Sequence, residues 1–332
     1  MKLHATFSEL LQSYFIERLI GQLNASPNTV ASHRDTFRLL LGFAQRCLHK
    51  APPELTVEDL NPAFIGRFLD HLEKERGNCS RSRNVRLAAI HSFFGYVALQ
   101  EPSLCASAQR VLAIPGKRFK SKPIDFLMRI EIEALLAAPD QTTWAGRRDR
   151  TLLLVAVQTG LRVSELINLC CKDVALQTGA HVHCTGKGRK ERCTPLRKEA
   201  VSALRNWLRE RQGQPTDALF PNARGQSLSR DGVEYLLAKH VRTAQGRCPS
   251  LKAKRVSPHV LRHSMAMDML QHGVDRSVIA LWLGHECMST TQVYLHANME
   301  LKEQALAKTK SLKTKNGRYH ATGALLNFLQ GL

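Results

Sequence analysis

The sequence predicts a mainly α-helical protein with one small antiparallel β-sheet, divided between two domains. Three observations carry that prediction. Apolar residues recur at helical spacing through most of the chain, only one pair of neighbouring segments has strand character, and one basic stretch interrupted by proline and glycine breaks the pattern. The 332 residues suffice for about two domains of ordinary size, each with its own core.

The first domain, residues 1–112, reads as helices throughout. FSELLQSYFIERLI carries apolar residues at helical spacing, and SPNTVASHRDTFRLLLGFAQRCL opens with Ser26 then Pro27, an N-cap followed by a first helical position. NPAFIGRFLDHLEKE and SRSRNVRLAAIHSFFGYVALQ supply two further helices. The last places Arg81, Arg83 and Arg86 at its N-terminal end, with Arg83 and Arg86 three apart. That face either follows a phosphate backbone or is simply solvated.

Residues 113–125 read as a linker, because IPGKRFKSKPID combines proline, glycine and four basic residues, Lys117, Arg118, Lys120 and Lys122. The second domain, 126–298, resumes with helical IEIEALLAAPD and RDRTLLLVAVQTG, stops at Gly160, and starts a new helix in LRVSELINLCCKDV. AHVHCT (180–185) and ERCTPL (191–196) form the strand pair around the turn GKGRK. Helices follow in EAVSALRNWLRERQ and RDGVEYLLAKHVRTAQ. Then comes a basic loop, RCPSLKAKR, bearing Lys252, Lys254 and Arg255. The tail, 299–332, joins a lysine-rich stretch, KTKSLKTKNGR, to an apolar terminal helix, GALLNFLQGL, docked either on its own domain or on a neighbouring protomer.

Charge narrows the function. Lysine and arginine number 48 against 28 acidic residues, giving +20 and a pI near 9.9, which favours a polyanionic partner through counterion release and field steering. Nucleic acid leads the list of such partners. No run approaches the roughly 18 apolar residues of a spanning helix, so no membrane role is expected. The N-terminus has no signal-peptide pattern, which predicts a cytoplasmic location. Nine cysteines without a CxxC give neither a disulfide framework nor a zinc ribbon. His181, His183 and Cys184 alternate faces on a strand, so no metal or other cofactor is expected.

Three short stretches then describe one kind of site. TGLRVSEL puts Arg162 at a helix start with Glu165 three residues on; SPHVLRH puts His259 and Arg262 on one helix face behind a Ser257 N-cap. LGHECMSTTQVY ends a helix at Gly284 and places Tyr294 on a short helix capped by Ser289. The phosphorane formed when a nucleophile attacks a phosphodiester needs cationic donors around its oxygens. Arginine meets that need best, being always charged and presenting a planar fork of N–H groups.

Residues 126–297 resemble the catalytic domain of the tyrosine recombinase (phage integrase) family, with motif spacing similar to its Xer-type members. The family signature falls on Arg162, Lys187, His259, Arg262, His285 and Tyr294, with 23 residues from Arg262 to His285 and nine from there to Tyr294. The resemblance implies that Tyr294 attacks the scissile phosphorus to form a 3′-phosphotyrosyl link, with its proton passing to the phosphate or to His259. Lys187 would be the general acid for the 5′ oxygen, with Lys190 in the same turn able to exchange places with it. His259 and His285 would hydrogen-bond the non-bridging oxygens, and Glu165 would orient Arg162. It also implies a two-domain clamp on DNA, a helical core-binding domain plus the catalytic domain, acting as a tetramer on two sites, alone or with a related recombinase. The expected function is site-specific recombination, with a lean toward integration or transposition by a mobile element. The alternatives are a type IB topoisomerase-like relaxing enzyme and a non-catalytic DNA-binding accessory factor.

Overall fold

The computed structural model describes residues 6–119, 124–186 and 190–284, and these divide into two compact units after Lys122. The first unit is helical. Thr6 caps α1 (Phe7–Ser13), its hydroxyl accepting from the Glu9 amide at 3.2 Å while Glu9 reaches back to the Thr6 amide at 2.7 Å. The chain then continues as a π-helical stretch, Tyr14–Gln22, which helical periodicity alone did not distinguish from α. Tyr14 explains why that stretch is held: it is fully buried among Phe37, Phe93 and Tyr96, and its hydroxyl donates to Ser92 Oγ at 2.8 Å.

The following helices start where the caps place them. Ser26 accepts from the Thr29 amide ahead of α2 (Pro27–Leu48), and Asn61 accepts from the Phe64 amide ahead of α3 (Pro62–Lys74). With α4 (Ser80–Gln100) and α5 (Cys105–Leu112) they enclose a core rich in phenylalanine, including Phe43, Phe64, Phe68, Phe93 and Phe94.

The second unit holds α6 (Arg129–Leu136), α7 (Trp144–Thr159) and α8 (Val163–Ile167), then the sheet, then α9 (Lys198–Arg211), α10 (Arg230–Ala244), α11 (Pro258–Gln271) and α12 (Arg276–Leu283). The sheet is antiparallel in the order β1 (Val174–Ala175), β2 (His181–Thr185), β3 (Glu191–Pro195), with Val174 opposite Val182 and Cys184 opposite Arg192. The short β1 was not expected. The helix expected over residues 161–174 ends at Ile167, because the backbone beyond it pairs elsewhere: Leu219 N donates to Leu169 O at 2.7 Å and Cys171 N to Asp217 O at 3.0 Å.

Two glycines turn the backbone beside the motifs that carry Arg162 and His285 in the sequence. Gly160 ends α7 and Gly284 ends α12, each left-handed, with φ of 63° and 61°. A Cβ on Gly160 would lie 2.8 Å from Leu283 Cδ2, so this turn lets the end of α7 approach the end of α12. Gly160→Ala should therefore destabilise the second unit by about 1–3 kcal/mol, combining left-handed strain with that contact. Urea unfolding monitored by tryptophan fluorescence checks this, and an unchanged midpoint would contradict it.

Candidate active site

The site is built outward from one buried carboxylate. Arg162 is the N-cap of α8, and Glu165, one turn in, accepts its backbone amide at 2.7 Å and its Nη1 at 2.8 Å. From β3, Arg192 brings both terminal nitrogens to the same carboxylate, Nη1 to Oε1 at 3.0 Å and Nη2 to Oε2 at 2.7 Å. The Glu165 side chain is only 2% exposed. Burial pushes its pKa up, but the hydrogen bonds and charges of Arg192 and Arg162 outweigh burial and hold it below the usual carboxylate value. Glu165 is thus an anion that fixes two guanidiniums.

Arg262 occupies the floor. It is 1% exposed, and its Nη1 and Nη2 each donate at 2.6 Å, to Gly160 O and Leu283 O. Arg162 Nη2 donates to Gly284 O at 3.2 Å. The two arginines of the separated motifs therefore meet at consecutive carbonyls on the C-terminal, negative end of α12. Next to them stands His259, exposed on the first turn of α11, with its ring centroid 4.3 Å from that of His263. Desolvation by surrounding protein, then repulsion from Arg262, Arg162 and Arg230, lowers its pKa below the usual 6.5. It is neutral at neutral pH and able to accept a proton.

Charge bookkeeping across the described residues that meet here gives three guanidiniums (Arg162, Arg192, Arg262) against one carboxylate (Glu165), an excess of two positive charges. A phosphodiester entering this place would be stabilised by that excess, most strongly where water is displaced. The Cys184 thiol nearby is no competing nucleophile, since burial pushes its pKa up to about 11.

Of the six residues predicted to carry the chemistry, the structure brings Arg162, His259 and Arg262 together, and Glu165 bonds Arg162. Lys187, His285 and Tyr294 lie outside the described residues, although Gly186 and Gly284 place the chain just ahead of Lys187 and His285. Sequence reasoning missed Arg192. Arg192 had a faint signal, since it follows Lys187 in the second strand, but only the register putting it opposite Cys184 reveals that it points inward.

The residues expected to face DNA divide. Arg81, stacked over Phe119 at 5.2 Å, and Arg118, Lys252 and Arg255 are exposed. Arg83 is not available: it is 6% exposed, with Nε 3.6 Å from Glu73 Oε2, so the proposed pairing of Arg83 with Arg86 on a phosphate-facing surface is corrected. Arg86 instead ties α4 to α2, donating to Ser32 O and Thr36 Oγ1 at 3.1 Å each. Lys117 pairs with Glu73, and its backbone is bracketed by Asn84, so this part of the expected linker is fastened to the first unit. Lys254 turns inward to Glu131 at 2.6 Å and Phe126 O at 2.9 Å, a tether for the start of the second unit. Lys120 and Lys122 lie outside the described residues.

Residues 125–300 match the Phage integrase family, and residues 13–101 match the Phage integrase N-terminal SAM-like domain. The chain belongs to the phage integrase family, the tyrosine recombinases, enzymes that transfer DNA strands. It is 54% identical over 332 residues, all of both chains, to the integrase/recombinase y4rC of Sinorhizobium fredii. It is 38% identical over 242 residues, 70% of this chain and 78% of the other, to tyrosine recombinase XerD of Pseudomonas aeruginosa. In fold it resembles the XerH recombinase bound to its difH substrate, with a TM-score of 0.67 at 22% identity over 91% of this chain and 84% of that one. It also resembles the Tn1549 transposon integrase bound to circular intermediate DNA, with a TM-score of 0.68 at 16% identity over 92% and 100%. Among the described residues, no helix is long and apolar enough to cross a membrane.

Glu165→Gln should lower the stability of the second unit at pH 7 by on the order of 3 kcal/mol, the usual cost of removing one charge from a buried pair. Because the folded pKa of Glu165 is depressed, its contribution is fully present above the unfolded value of 4.5 and is lost as pH falls through the folded pKa. The variant should therefore show a shallower loss of stability below pH 4.5, measured by denaturant unfolding across pH. An unchanged acid slope would contradict the assignment.

Proposed function

We propose that this chain is a site-specific recombinase in which Tyr294 is the nucleophile and Arg162 and Arg262 bind the scissile phosphate. One observation carries the reading: both guanidiniums converge on the end of α12, ten residues before Tyr294 in the sequence. In the forward step the Tyr294 oxygen attacks phosphorus, the bond to the 5′ oxygen breaks, and a 3′-phosphotyrosyl ester forms. The phenol proton passes to His259 or to the phosphate, and Lys187 protonates the departing 5′ oxygen. His285 hydrogen-bonds a non-bridging oxygen. Attack by a 5′ hydroxyl reverses the step, so the energy of the broken bond is retained.

The exposed cations Arg81, Arg118, Lys252 and Arg255, with Lys120 and Lys122, would contribute salt-dependent phosphate contacts on duplex DNA. A DNA-bound homotetramer on two sites, alone or with a second recombinase, is the assembly this reading requires. The relationship to integrase/recombinase proteins supports a mobile-element role, integration or transposition, in the cytoplasm at the nucleoid.

Cleavage sites would be mapped across the protein's genomic neighbourhood, and the mapped site used as a nicked suicide substrate. The unsubstituted protein should form a covalent adduct in EDTA, and Tyr294→Phe should form none. An adduct with Tyr294→Phe would overturn the nucleophile assignment. Joining of two sites, rather than supercoil relaxation alone, separates a recombinase from a relaxing enzyme.

A further inference from the structure

Arg192 has a second set of neighbours besides Glu165. Its Nη1 would stand 3.0 Å from a Cβ placed on Gly186 and 3.0 Å from a Cβ placed on Gly284. The same nitrogen is therefore wedged between two glycines, one leading directly into Lys187 and the other directly into His285. Gly186 also closes the hairpin turn, its amide donating to Lys190 O at 2.7 Å, and the same imagined Cβ would lie 3.1 Å from Glu165 Oε1. Neither position has room for a side chain without displacing the arginine.

The guanidinium is also costly to place there. Its side chain is 13% exposed and its Nε has no hydrogen-bond acceptor among the described residues, so it is retained against desolvation by the paired hydrogen bonds to Glu165. A lysine could carry the charge but could not bond both carboxylate oxygens in one plane. Two rigid strands fix the Cα of Arg192 opposite Cys184, and its fork fixes the base of the turn against α8.

We propose that Arg192 is a positioning residue that locks the base of the β2–β3 turn to the Glu165–Arg162 pair, and so sets where Lys187 can deliver its proton. This rests on the reading of Lys187 as general acid. A lysine on a turn whose base drifts spends less time at the leaving oxygen, so loss of Arg192 slows the step that needs the acid more than it weakens phosphate binding.

The test compares single-turnover adduct formation on two nicked substrates, one with an ordinary scissile phosphodiester and one with sulfur replacing the bridging 5′ oxygen. A thiolate leaves without a proton donor. Arg192→Lys should cut the ordinary substrate at least about tenfold more slowly than the unsubstituted protein, yet come within about threefold of it on the sulfur substrate. Gly186→Ala, which displaces the same guanidinium while keeping it, should give the same pattern, and covers the case in which Arg192→Lys does not fold. Lys187→Ala is the reference for loss of the acid and should be rescued likewise. If Lys187→Ala is rescued while the Arg192 and Gly186 variants remain equally slow on both substrates, or if they cut the ordinary substrate at full rate, the positioning role is overturned. If Lys187→Ala itself is not rescued, the lysine assignment fails and the proposal falls with it, in a pattern distinct from the first.

Discussion

The buried carboxylate of Glu165 is the interaction on which the rest of the site depends. It accepts from the Arg162 amide, the Arg162 side chain and both ends of the Arg192 guanidinium. An uncompensated charge at that depth would be expensive, and so would either arginine without it. One acid therefore holds α8, the β2–β3 hairpin and, through the Arg162 bond to Gly284 O, the end of α12 in one arrangement. Burial alone would raise its pKa; the bonds from the two guanidiniums outweigh that and hold it below the ordinary carboxylate value.

What the carboxylate leaves uncompensated is the functional property. The described groups set three guanidiniums against that one carboxylate, and Arg262 donates its two terminal nitrogens to the neutral carbonyls of Gly160 and Leu283. Those carbonyls are presented by helix ends that stop in the left-handed conformation, which is why glycine stands at 160 and 284. The fold thus spends two helix termini on orienting arginines toward the place where a phosphate would sit. Charge placed before the substrate arrives needs little reorganisation during reaction, and that is the physical basis for transition-state stabilisation at such a centre.

Much of this was legible in the sequence. Ser26 and Ser257 ahead of proline marked true helix starts, and Gly160 and Gly284 marked true stops, because capping is decided by residues within one turn. Arg162 and Arg262 were identifiable as a pair, since their motifs are local. What was missed depended on distance. β1 exists because residues 174–175 pair with β2, and α8 is short because residues 215–219 claim the backbone beyond it. Arg83 and Lys254 resemble surface cations in sequence and are internal ion-pair partners in space, with Glu73 and Glu131. Arg192 is the reverse case, an unremarked strand residue that register turns toward the site.

The central claim is that this centre works by excess positive charge aimed at the phosphate. It is tested most directly by removing the charge from the other side. Replacing one non-bridging oxygen of the scissile phosphate with a methyl group makes the substrate neutral there. Arg162→Ala should slow cleavage of the ordinary phosphate by about a hundredfold or more, and slow cleavage of the neutral substrate by less than about tenfold, because little charge remains to be stabilised. An equal loss on both substrates would contradict the account, since Arg162 would then be acting on something other than phosphate charge.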